Sequence, residues 1–159
     1  MDKEKEKQKQ LSPEEHAAKM ERRWKRFQEA QGYSDAEIAK YRSDPQKVKA
    51  MEGASKFATY NIILECTDSH NCNAGHKVGD RIVMDGNGVL LRDQCPERMC
   101  AAVLQSVTPF MYAIWERFGD DQDDLNILLP NVHCPDVGVD RGGWGETCWK
   151  IYAEPRKKD

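Results

Sequence analysis

The 159-residue chain has no run approaching the roughly 18 consecutive apolar residues that cross a bilayer, which excludes a membrane-spanning helix. Its first ten residues, MDKEKEKQKQ, carry no apolar side chain after Met1. They lack the hydrophobic segment of a secretory signal, and they cannot offset the entropy of ordering, so a disordered tail is expected over residues 1–11. No C-x-x-C pair of the zinc-knuckle or thioredoxin-like kind occurs. Also missing are the glycine loops that cradle phosphates or dinucleotides and the G-x-S-x-G elbow of serine hydrolases. These absences exclude the commonest nucleotide-dependent activities for the chain on its own. No basic stripe with interleaved aromatics is present, so nucleic acid is not an expected partner. The length fits one domain with some chain left over, which excludes a multidomain enzyme. A cytoplasmic protein with no membrane association is the expectation.

What is present divides near Lys56. Residues 1–56 carry 14 Lys/Arg against 11 Asp/Glu, a net +3, whereas 57–159 carry 10 against 16, a net −6. The formal charge of −3 therefore hides two opposite halves. All six cysteines lie in the acidic part, and only Gly32 and Gly53 among the glycines precede Lys56. The composition predicts a helical arm over residues 12–56 followed by a folded core over 57–159.

Ser12-Pro13-Glu14-Glu15 has the parts of a helix start: an N-cap serine, proline at the first helical position, and acids at the positive end of the dipole. Gly32 marks its stop. Ala17, Met20, Trp24, Phe27 and Ala30 form one narrow apolar stripe. Ser34 with Glu37 has capping-box spacing and opens a second helix through Tyr41 or Arg42. Ser43-Asp44-Pro45 opens a third, ending near Gly53. Short helices with thin stripes are marginal by themselves in water, so the arm is expected to pack on something. Two docking modes fit. It folds back onto the oppositely charged core, or it embraces a partner, either a larger subunit or a second copy in a homo-oligomer with exchanged arms.

In the core, Phe57 to Cys66 is rich in β-formers and reads as a buried strand. Lys77 to Met84 enters a second, and the Asp85-Gly86-Asn87-Gly88 turn joins it to Val89-Leu90-Leu91 as a hairpin. Cys95-Pro96 is the expected start of the longest core helix, with Val103, Val107, Phe110, Met111, Ile114 and Phe118 on one face and a kink at Pro109. Asp120 to Asp124 is an acidic exposed loop with calcium as its conceivable ligand. From Leu125 the chain reads as irregular, through a flexible Asp140 to Gly145 loop, until a closing strand at Glu146 to Ala153. The fold class is α+β: a small antiparallel or mixed sheet of three or four strands packed against one long helix, preceded by the helical arm.

Candidate chemistry centres on Cys66, His70, Cys72 and His76, four potential zinc or iron ligands within eleven residues. Cys95 and Cys100 flank the expected helix start, where the dipole would favour a thiolate at Cys95. His133 and Cys134 form a third cluster. If His133 or Cys134 meets Cys72, His76 and Cys95, a mixed Cys/His zinc or iron site closes across the loops of one sheet end. Each residue also has a structural reading: Cys66, Cys100 and Cys148 as small buried hydrophobes, His70 and His76 as loop residues. A nucleophilic Cys95 with His70, His76 or His133 as base is the catalytic alternative.

Over roughly residues 57–153 the chain resembles a family of small cysteine-containing proteins that occurs widely in anaerobic bacteria and archaea. The likeness rests on the first strand, Cys72 with Gly75-His76-Lys77-Val78-Gly79-Asp80, the Cys95-Pro96 to Cys100 segment, and Cys134-Pro135-Asp136 before a closing strand. It implies that Cys72, Cys95 and Cys134 belong together, and it supplies no settled activity. The expected function is an accessory or small subunit of a larger cytosolic, anaerobic catabolic enzyme complex. Its arm engages the partner and its Cys/His cluster holds a structural metal. The alternative is a stand-alone metal- or thiol-dependent enzyme acting on a small molecule.

Overall fold

A computed structural model describes residues 12–157. The expected tail over 1–11 lies outside the described residues. The chain forms two compact units, one ending at Glu52 and the other beginning at Gly53.

The first unit is helical. Helix α1 (Pro13–Gln31) has the full capping box at Ser12 and Glu15, and it ends at Gly32 in the left-handed conformation. Helix α2 (Asp35–Arg42) repeats the box at Ser34 and Glu37. Helix α3 (Pro45–Glu52) follows. The three pack on one another through rings that the α1 stripe alone did not reveal. Tyr41 stacks edgewise on Trp24 at 5.9 Å and lies 5.1 Å from Phe27, which also meets Tyr33 at 5.7 Å. Arg23 ties α1 to the end of α3 by donating to Met51 O and Glu52 O, and Arg42 makes a two-pronged pair with Glu21. Such aromatic contacts, each worth about 0.5–1.5 kcal/mol beyond burial, give the arm a small core of its own.

The second unit is α+β. Helix α4 (Ala54–Thr59) leads into β1 (Tyr60–His70), then β2 (Arg81–Asp85), helix α5 (Ala101–Gly119), β3 (Asn131–His133) and β4 (Glu146–Pro155). The strands form one antiparallel sheet in the order β2-β1-β4-β3. Period-two alternation sends Ile62, Leu64, Cys66, Ile82, Met84, Val132, Trp149 and Ile151 to one face. There they bury against Val103, Val107, Ile114 and Phe118 of α5. The helix runs unbroken through Pro109.

Four sequence expectations shift. Phe57–Thr59 belongs to α4 and not to the first strand. Phe57 stacks on Phe118, and Gly86 lies so close to the Phe57 backbone that no Cβ would fit, so tertiary packing overrides the β-propensity. The hairpin after β2 reduces to one bridge, Met84 with Leu90. Helix α5 begins at Ala101, not at Cys95, because Arg92 donates to Pro96 O and Glu97 O and holds that stretch as a loop. A short strand, β3, occupies part of the segment read as irregular.

Candidate functional site

The thiols sit where the sheet's regular hydrogen bonding stops. At the outer edge of β2, Cys95 Sγ accepts from the Val83 N–H at 3.3 Å and faces Val83 O and Leu91 O at 3.4 and 3.2 Å. It fills the place a further strand would take and blunts an edge that would otherwise invite pairing. At the end of the β3–β4 ladder the Thr147 N–H donates to Cys134 Sγ at 3.2 Å, and that thiol donates to Asp136 O. Where the β1–β4 register shifts between Cys66 and Asp68, the Cys66 thiol donates to Asp68 O. Burial, helped by the nearby Asp80 carboxylate, pushes the Cys66 thiol up to about 11. Cys148 lies on the opposite face of β4 from Thr147 and Trp149, and its thiol is also raised, first by burial and then by Asp68 and Glu146.

His76 is buried beneath Trp149, whose ring it meets edgewise at 5.0 Å. Its Nε2 accepts from the Cys100 N–H, which places the ring proton on Nδ1 beside Asp80 Oδ2 at 3.4 Å. Cys100 is the N-cap of α5, so His76 positions the start of the long helix. Cys72 lies half-buried in the turn after β1, where its carbonyl accepts from Gly75 N–H. His70 closes β1 opposite Glu146, with Nε2 at 3.1 Å from Asn71 Nδ2.

The predicted ligands are therefore drawn apart. Cys95 and Cys134 stand at opposite edges of a four-stranded sheet, about 14 Å across at strand spacing. Both His76 nitrogens already face protein groups. Among the described residues no group of three or more His, Cys, Asp or Glu side chains gathers as a metal site would require. The mixed site of Cys72, His76, Cys95 and Cys134 or His133 is not assembled. In the acidic loop, Asp121 pairs with Lys56 at 3.0 Å and Asp124 accepts from Asn126. At Cys95 the dipole reasoning lapses, since α5 starts six residues later.

What the structure does build is the far end of the sheet. His133 Nε2 lies 3.2 Å from Glu146 Oε2, and Nδ1 lies 2.6 Å from Cys134 O. The following loop, expected to be flexible, is organised by Asp136. Its carboxylate accepts from the backbone N–H groups of Trp144, Gly145 and Gly138. Those bonds, the one from Trp144 foremost, hold the carboxyl below its usual range. Glycine is required at 143, where a Cβ would strike Asp136 Oδ1, and at 145, where it would strike Asn71 O. The ordered loop displays Val139 at 64% and Trp144 at 78% exposure, and Leu128 and Leu129 before β3 are 91% and 71% exposed. Neither the loop's order nor β3 was legible in the sequence. Asp136 followed by four glycines within nine residues was the available signal.

Fold and site together define an α+β protein with six free thiols, an ordered apolar loop and an open sheet edge. No family model, curated protein or solved structure matches the chain. No helix among the described residues is long and apolar enough to cross a membrane.

Proposed function

We propose that this protein is an accessory subunit that binds a larger protein partner through the β3 edge of its sheet and the apolar groups at both ends of that strand. The observation that carries this reading is the exposure of Leu128, Leu129, Val139 and Trp144 beside an edge strand that no other described strand covers. Cys134 N–H donates to Thr147 O and Ile151 N–H donates to Pro130 O, so alternate residues turn inward. By the antiparallel pattern the backbone groups of Asn131 and His133 turn outward, free to extend the sheet with a partner strand. Glu146 and Ile151 are five residues apart on β4, so the two apolar flanks lie about 17 Å apart, a span suited to a standard protein interface.

The thiol positions favour association over catalysis. Cys66, Cys95 and Cys134 act as hydrogen-bonding substitutes at ladder irregularities. The helical arm is the second contact we assign, since most of the length of α1 is exposed and charged. The anaerobic catabolic setting rests on the family resemblance.

The test is native isolation followed by size-exclusion with light scattering. Co-elution with a larger protein, lost in Leu129→Asp and Trp144→Asp variants of unchanged melting temperature, is the expected result. An 18.2 kDa monomer would refute the reading, and a multiple of that mass would replace the larger partner by a second copy.

A further inference from the structure

The sheet face away from α5 carries a cleft of about 480 Å³. That volume falls within the range of small-molecule sites. Its floor is Asn61 and Val83, both buried, with Leu91 as an apolar wall. Of its charged residues, the two carboxylates are already committed. Asp85 accepts from the N–H groups of Asn87 and Val89 at 2.9 Å each, within its own turn. Glu154 Oε1 lies 2.7 Å from Arg81 Nη2.

The cations differ among themselves. Arg81 is matched by Glu154 through Nη2, and its Nε is shielded from water. Arg156 is held in place twice: its backbone N–H donates to Thr59 O at 2.7 Å, and its Nε donates to the buried Asn61 Oδ1 at 3.1 Å. That second bond orients the guanidinium, and among the described residues both terminal amino groups are left for another acceptor. Lys157 adds a further ammonium at the rim. Among the described residues the cleft thus has donors on Arg156 and Lys157 without a carboxylate partner, above an apolar floor.

We propose that this cleft binds a small carboxylic acid, its carboxylate gripped by the Arg156 fork with Lys157 beside it and its short apolar body resting on Val83 and Leu91. A carboxylate takes two parallel hydrogen bonds from a guanidinium fork, and the apolar Val83 and Leu91 favour it over a fully hydrated inorganic oxyanion. The apolar floor favours a body of a few carbons over a bare carboxylate. The site is independent of the β3 edge, which is on the other side of the sheet order.

The test is titration of the full-length protein with benzoate, acetate and inorganic phosphate, followed by calorimetry and amide chemical shifts. Saturable benzoate binding is expected, with acetate and phosphate each weaker and with shifts at Asn61, Val83 and Leu91. Arg156→Gln, compared at a temperature where its unfolding curve shows it fully folded, should weaken benzoate about tenfold or more, and Arg156→Lys should not restore it. Arg81→Gln leaves the Glu154 carboxylate unpaired in the cleft and should also weaken benzoate. Absence of benzoate binding, or affinity unchanged in Arg156→Gln, would overturn the proposal. Phosphate binding tighter than benzoate would overturn the carboxylate assignment.

Discussion

Replacing Cys134 with alanine removes the acceptor that the Thr147 N–H uses at the end of the β3–β4 ladder. Thr147 is only 2% exposed, so water does not take the vacated place. An unpaired buried donor costs about 1–3 kcal/mol, and because a thiol is a weaker acceptor than a carbonyl we take about 2 kcal/mol for the substitution. In a unit of this size that corresponds to roughly 10 °C in melting temperature. Serine keeps an acceptor for Thr147 and a donor for Asp136 O, so Cys134→Ser should lose less than about 1 kcal/mol. Urea denaturation at pH 7 with an unchanged m-value is the measurement, run with and without a metal chelator. If the thiol is a structural hydrogen-bonding group, alanine is worse than serine and the chelator changes neither curve. Equal losses for the two variants, or a chelator-dependent midpoint, would refute the reasoning and restore a ligand role.

Gly86→Ala should destabilise by about 3 kcal/mol or more in thermal or urea unfolding, because the added Cβ meets backbone atoms of Phe57 that cannot rotate away. Gly75→Ala has open space around it, and only its positive φ opposes the change, so about 1 kcal/mol is expected there. Asp136 is held below its ordinary value, so its contribution is present above the unfolded carboxylate range and is lost as pH falls through the lower folded value. Asp136→Asn should therefore flatten the acid limb of the stability profile, with Trp144 fluorescence reporting the loop; an unchanged acid limb would count against this account. For Cys66 the sign reverses. Its folded value is raised to about 11 from 9.0, so the stabilisation is full below pH 9 and fades as pH rises towards 11. Alkylation at pH 8 followed by mass mapping should find Cys66 among the slowest thiols.

Local signals and long-range arrangement divide this protein sharply. The α1 and α2 starts, the Gly32 stop and the α5 apolar face follow from capping chemistry and from spacings of three and four residues. Those interactions close within a few residues, so the sequence by itself determined them, along with the α+β class; it divided arm from core at Lys56, whereas the two compact units meet between Glu52 and Gly53. The fate of the cysteines depended on contacts between distant segments. Cys95 meets Val83 and Cys134 meets Thr147 only because β2 and β3 become the two edges of one sheet. That strand order separates thiols that look neighbouring in type and spacing, and it turns them into ladder-end acceptors. The cleft at Asn61, Arg81 and Arg156 was equally hidden: its residues come from three distant segments, and which charges remain unmatched is decided only after the sheet has paired Arg81 with Glu154.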